Sequence, residues 1–166
     1  MKHFAEKPIE GKTDTWLTPQ YIIQSLGPFD LDPCAAPSPR PFPTAQKHIE
    51  LPDDGLETEW DGLVWMNPPY GAQTGFWLNR LAAHKTGGIA LVFARTETRM
   101  FHEHVWRKAS SILFLAGRIR FLRRDGSQGE HAAAPSCLIG YGEEATRRLQ
   151  KCNLPGKFIN LLETAA

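Results

Sequence analysis

Two kinds of hydrophobic spacing alternate along the middle of this chain. Leu63-Val64-Trp65-Met66 and Ile89 to Ala94 are unbroken apolar runs, whereas Phe76, Leu78, Leu81 and Ala82 between them recur at helical intervals. Short unbroken runs suit strands covered on both faces, and the helical spacing suits an amphipathic helix packed on such a sheet. The pattern predicts a strand at 63–66, a helix at 75–85 closed by Gly87-Gly88, and a strand at 89–94. A helix over 98–108, a strand over 111–116 and a helix over 143–150 continue the alternation. Upstream, Thr18-Pro19 followed by Tyr21, Ile22, Ile23 and Leu26, then by Gly27-Pro28, predicts a short helix with Thr18 as its N-cap. Phe29 to Leu31 is a brief strand, and Arg118 to Leu122 with Ser136 to Tyr141 read as two arms of a hairpin across the loop Asp125 to Ala134.

This order predicts an α/β, Rossmann-like fold: a mainly parallel sheet, helices on both faces, and an antiparallel hairpin at the edge. In such folds ligands sit beyond the carboxyl ends of the strands. Asp32 and Asn67 are separated by barely enough chain for one strand-helix-strand unit, so the crossover between them is abridged. Pro33 to Pro43 carries five prolines, too many for regular structure, which leaves a loop suited to serve as a lid.

At 166 residues the chain is expected to be one domain over 14–166 behind a polar, flexible N-terminus over 1–13. The net charge of +1 hides an uneven distribution. Arg95, Arg99, Arg107, Lys108, Arg118, Arg120, Arg123 and Arg124 face only Glu97 and Glu103 in that stretch. Three widely spaced cysteines argue against a disulfide framework or a zinc knuckle and for a reducing cytoplasm. The N-terminus has no apolar core of a leader, and the longest apolar runs are too short to span a bilayer, so no membrane association is expected. His102-Glu103-His104 invites a metal reading, but Trp106 stands where a zincin needs its second histidine, so no metal is expected.

The candidate chemistry lies in Asn67-Pro68-Pro69-Tyr70, directly after an apolar strand. The prolines fix the backbone and remove donors, so the Asn67 side-chain oxygen and the Pro68 carbonyl can converge as two acceptors. An amino group conjugated to a ring is a weak nucleophile. Two acceptors holding its hydrogens would favour tetrahedral nitrogen and stabilise the positive charge that grows during alkylation. The Tyr70 ring can stack on the base and face that charge. Asp30 and Asp32, two apart on a strand, face the same way, and Asp53-Asp54-Gly55 supplies further acids; each reads equally well as a structural or solvated group.

These residues together resemble S-adenosylmethionine-dependent amino-methyltransferases, and more closely the small phage-type, Dam-like DNA N6-adenine methyltransferases. The matching blocks are Trp16-Leu17-Thr18-Pro19, Phe29 to Ala35, Asp54-Gly55-Leu56 with Trp60, Trp65 to Gly71, Ala94 to Thr98 with Phe101, and Gly117-Arg118-Ile119 with Phe121. The resemblance implies that S-adenosylmethionine is held by Asp30, Asp32, Pro33 and Cys34, covered by Trp16, Thr18 and Pro19, and read at its adenine by Asp54, with Asn67 adjoining. It further implies a flipped adenine among Asn67, Pro68, Pro69 and Tyr70, and a cytoplasmic setting in a bacterial host or phage-infected cell. In this sequence Cys34-Ala35-Ala36-Pro37 replaces the glycine-rich turn that usually follows the first strand of methyltransferases.

DNA is the expected partner. Arg95, Arg99, Arg118, Arg120, Arg123 and Arg124 are expected to neutralise phosphates, and Phe101 or the loop 125–134 to fill the gap that an extruded base leaves. The competing readings are a methyltransferase acting on a protein glutamine amide or on cytosine N4, and a non-catalytic DNA-binding protein on a decayed methyltransferase fold.

Overall fold

The computed structural model describes residues 15–162; the expected flexible tail over 1–13 lies outside them. The strands in chain order are β1 (Leu31–Asp32), β2 (Lys47–His48), β3 (Val64–Met66), β4 (Gly88–Phe93), β5 (Ser111–Leu115), β6 (Arg120–Leu122), β7 (Gln128–His131), β8 (Ser136–Tyr141) and β9 (Gly156–Asn160). The helices are α1 (Gln20–Leu26), α2 (Thr74–Ala83), α3 (Arg99–Phe101), which continues as a π-helical turn over His102–Trp106, and α4 (Glu143–Lys151).

Seven strands form one sheet in the order β2-β1-β3-β4-β8-β5-β9. β1 pairs in parallel with β2 and β3, and β3 with β4. β8 runs antiparallel between β4 and β5, and β9 antiparallel to β5. It follows that β1 to β5 all point one way and only β8 and β9 are reversed.

Period-two alternation along the central strands feeds two apolar layers. Leu63, Trp65, Ile89 and Leu91 pack with Ile22, Ile23 and Leu26 of α1 and Ala145 and Leu149 of α4. Val64, Met66, Ala90 and Val92 pack with Trp77, Leu78 and Leu81 of α2 and with Phe101 and Val105. Unbroken apolar strands and helices on both faces are thus one fact seen from two sides. No helix occurs between β1 and β3, and loops alone make that crossover. Gly62, at φ +71°, lets the chain turn into β3 against Asp30, where any Cβ would strike the carboxylate.

Four expectations need correction. Ser136 to Tyr141 is not the second arm of an edge hairpin; it is β8, buried at every position, and needs neighbours on both edges. The true partner of β6 is β7, from within the expected loop, and the two form a separate ribbon. That ribbon is joined to Leu17, whose N–H donates to Leu122 O at 2.8 Å and whose carbonyl accepts from Leu122 N at 2.9 Å. Pro19, not Thr18, occupies the N-cap of α1, and the first strand is Leu31–Asp32 rather than Phe29–Leu31. Phe76, whose spacing puts it among the packed positions of α2, is 67% exposed.

Candidate active site

β3 ends at Met66, and the chain leaves the sheet edge through Asn67-Pro68-Pro69-Tyr70. Thr74, at the start of α2, pins this loop: its hydroxyl donates to Pro69 O at 2.7 Å and accepts from Gly71 N at 3.1 Å. Gly71, at φ +126°, supplies the turn between them. The Tyr70 ring stacks on Phe93 with centroids 4.4 Å apart and planes 15° apart, and its hydroxyl makes a long contact of 3.4 Å to Leu91 O. Tyr70 as a whole is 41% exposed, yet its hydroxyl end is the enclosed part, and burial there pushes the phenol pKa well up. A neutral phenol packed on one face leaves the other face of the ring for a ligand.

Beside this loop opens a cavity of about 750 Å³, walled by the loop itself, the segment 15–18, the turn after β1, the Pro-rich loop, residues 49–56 and the first turns of α2. A volume of that size is typical of a small-molecule site. Its wall carries unmet polar groups. Asn67 Oδ1, Trp65 Nε1 and Trp77 Nε1 are buried with no hydrogen-bond partner, and all three residues line the cavity. Buried donors and acceptors are satisfied as a rule, so orphans gathered on one cavity point to a ligand that completes them. A second hollow, of about 470 Å³ beside Trp60, Arg80 and His84, lies away from the loop and has no such atoms.

Asp32, at the end of β1, is 4% exposed and lines the cavity. The Thr44 hydroxyl donates to one of its oxygens at 2.5 Å and the Cys34 N–H to the other at 3.2 Å. Burial pushes its pKa up to about 6, against the pull of these two bonds and of the Arg40 charge. Cys34 adjoins Asn67, whose N–H points at its sulfur; burial, and then the Asp32 charge, hold that thiol far above its ordinary pKa. The Pro-rich loop is clasped rather than loose. Glu50 accepts from Ser38 N at 2.5 Å, Ser38 Oγ at 2.8 Å and Arg40 Nη1 at 2.7 Å, and Arg40 also reaches Ala36 O at 2.6 Å.

Trp16, Thr18, Pro33, Cys34 and Asp54 also line the cavity, together with Asn67, Pro68, Pro69 and Tyr70. Two residues expected at the cofactor do not. Asp30 is spent inside the fold, accepting from Leu63 N at 2.7 Å, and Pro19 is buried as the cap of α1. Asp54 Oδ1 caps its own turn by accepting from Leu56 N at 2.8 Å.

A family model described as DNA N-6-adenine-methyltransferase (Dam) matches residues 6–147. The chain belongs to that family. The matched stretch contains the cavity, the Asn67 loop, the β6–β7 ribbon and most of the sheet, and it ends within α4. No curated protein and no solved structure matches.

Of the arginines expected at DNA, four belong to the β6–β7 ribbon and the turn beside it, where they also brace it. Arg118 donates to Ala132 O at 3.0 Å, Arg120 to Gln128 Oε1 at 3.1 Å and to His131 at 2.9 Å, Arg123 to Gln128 O, and Arg124 to Ser38 O at 3.2 Å. Arg99 pairs with Glu103 at 2.6 Å on an open surface, and Arg95 lies beyond β4 with its guanidinium 5.9 Å from the Phe93 ring. Phe101, expected as a gap filler, is fully buried and unable to act so. Among the described residues no cluster of three metal-ligating side chains occurs and no helix is long and apolar enough to cross a membrane.

Sequence reasoning overlooked Thr44, Glu50, Gln73, Phe76 and Trp77 as cavity residues. Only Trp77 carried a signal, since an indole in the first turn of the helix after the Asn67 loop presents a donor as well as bulk.

Proposed function

We propose that this chain transfers the methyl group of S-adenosylmethionine to N6 of adenine in DNA. Family membership supports the acceptor, and one observation carries the site: Asn67 Oδ1 is a buried acceptor with no partner, on the wall of a cavity beside a stacked tyrosine. That oxygen suits the hydrogens of a ring-bound amino group, with the Pro68 carbonyl beside it as second acceptor. The open face of Tyr70 receives the base.

The cavity residues fit the cofactor. Asp32 offers a carboxylate for its ammonium group, Trp77 Nε1–H a donor, Asp54 an acceptor for its adenine, and Trp16 and Thr18 a cover. When bound, S-adenosylmethionine would supply an electrophilic methyl on its sulfonium sulfur, the methyl passing to N6 and the bonding pair staying with sulfur. The nitrogen becomes cationic and releases its proton to water, so the site needs no strong base, and it has none: Tyr70 is neutral and Asp32 is held by Thr44 and Cys34. Alignment of the nitrogen by Asn67 and of the base by Tyr70 supplies most of the rate.

The test is transfer of tritiated methyl from S-adenosylmethionine, offered DNA and a glutamine-containing peptide at equal concentration. Label in DNA, falling steeply with added salt, is expected; label in the peptide alone refutes the assignment. Calorimetry that finds no binding of S-adenosylmethionine would favour a decayed, non-catalytic fold.

A further inference from the structure

The exposed large apolar residues of the described chain are Trp16, Tyr21, Leu51, Tyr70, Phe76, Trp106 and Leu162, and four of them, Trp16, Leu51, Tyr70 and Phe76, line the one cavity. Such clustering on a wetted rim marks a contact surface. The two most exposed of the four, Leu51 at 77% and Phe76 at 67%, differ sharply in setting.

Leu51 stands among Glu50, Asp53 and Asp54, a run of acids that repels phosphate. Phe76 stands in the first turn of α2, a helix that packs on a basic segment. Gly75 packs 3.4 Å from His104 and 3.5 Å from Met100, measured from where its Cβ would lie, and Lys108 Nζ donates to Asn79 Oδ1 at 2.7 Å, so α2 lies against the segment that carries Arg99, Arg107 and Lys108. The Phe76 turn is also fixed to the reaction site. Thr74 ties it to Pro69 and Gly71, and Phe76 N donates to Gln73 O at 3.0 Å.

We propose that Phe76 is the wedge that enters the duplex where the target adenine leaves it. This rests on the function proposed above. An adenine stacked in a duplex is out of reach of Asn67, and extruding it costs unpairing and unstacking that an inserted apolar ring offsets. A ring two-thirds exposed, on the rim of the cavity and on a helix tied to the Asn67 loop and packed against a basic segment, suits that task; Phe101, wholly buried, does not. Few interactions in the fold depend on Phe76, so truncating it leaves the protein folded.

The experiment compares Phe76→Ala with wild type on two duplexes of one sequence, with the target adenine paired to thymine or set opposite an abasic site. Phe76→Ala should lose about ten- to a hundredfold more in kcat/KM on the paired duplex than on the unpaired one, because extrusion costs least where the base is unpaired while any effect on the cavity is common to both. Phe76→Trp should retain most activity on both. With 2-aminopurine at the target position, wild type should raise fluorescence on binding and Phe76→Ala should not. Equal losses on both duplexes, or undiminished activity on the paired one, overturn the wedge alone. A wild type that labels neither duplex overturns the function beneath it and the wedge as well.

Discussion

Asp32→Asn should make the ligand-free protein more stable above neutrality while weakening its hold on the cofactor. Asp32 is buried, and its pKa is pushed from the ordinary 3.8 up to about 6. Below pH 4 the carboxyl is protonated in both folded and unfolded chains and the group is neutral to stability. As pH rises from 4 through 6 the unfolded chain ionises first, so stability falls and the deficit is complete by about pH 7. At 1.36 kcal/mol per pH unit the deficit reaches about 3 kcal/mol. Asparagine removes the charge and preserves the bonds: its oxygen accepts from the Cys34 N–H, and the Thr44 hydroxyl turns to accept from its amide. Urea melts of both proteins at pH 4, 5, 6, 7 and 8 measure the effect. The two should coincide at pH 4 and diverge to about 2–3 kcal/mol in favour of the variant at pH 8, about 1–2 M in midpoint at an ordinary m-value. Parallel profiles, or a variant less stable at every pH, would refute the reasoning, since Asp32 would then ionise in the fold at no cost.

The same titration has a functional face: below about pH 6 the affinity for S-adenosylmethionine should fall about tenfold per pH unit in wild type and stay flat in Asp32→Asn, as calorimetry can report. Asn67→Ala should leave the melting temperature unchanged or slightly raised, because it deletes an unsatisfied buried oxygen, while kcat falls about a hundredfold or more in a methyl-transfer assay. Thr74→Val leaves Pro69 O and Gly71 N without their shared hydroxyl; a cost of about 1–3 kcal/mol in urea melts and a drop in kcat larger than the change in KM are expected. Arg95→Ala should reduce the slope of log binding constant against log salt by about 0.9 if that side chain meets one phosphate, and a slope equal to wild type removes it from the interface.

Much of the sheet was legible because burial on both faces writes itself into unbroken apolar runs. β3, β4, β5, α2 and α4 all fall within a residue or two of where the spacing puts them. The position of β8 was not legible. Its six buried residues demand neighbours but do not say which, and β6, nearer in the chain, was the obvious wrong choice. β2, β7 and β9 are short or largely exposed, so their sequences lack the contrast that marks a half-buried strand. At the site, Asn67 to Tyr70 stood out because their chemistry is local, and chain order alone brought Trp16, Asp32 and Asp54 into consideration. The clasp of Thr44 on Asp32 and of Glu50 on Ser38 and Arg40 spans ten to twelve residues of loop without periodicity. Asp30 misled for a related reason. Its spacing from Asp32 implies a common face only if both lie on the strand, and the strand begins at Leu31.

The measurement closest to the central claim is nucleoside analysis of DNA after incubation with labelled S-adenosylmethionine, run with wild type and with Asn67→Ala. The label should elute as N6-methyldeoxyadenosine from the wild-type reaction and fall about a hundredfold or more with the variant. Label on cytosine would contradict the adenine assignment, and full activity in the variant would contradict the role given to the Asn67 oxygen.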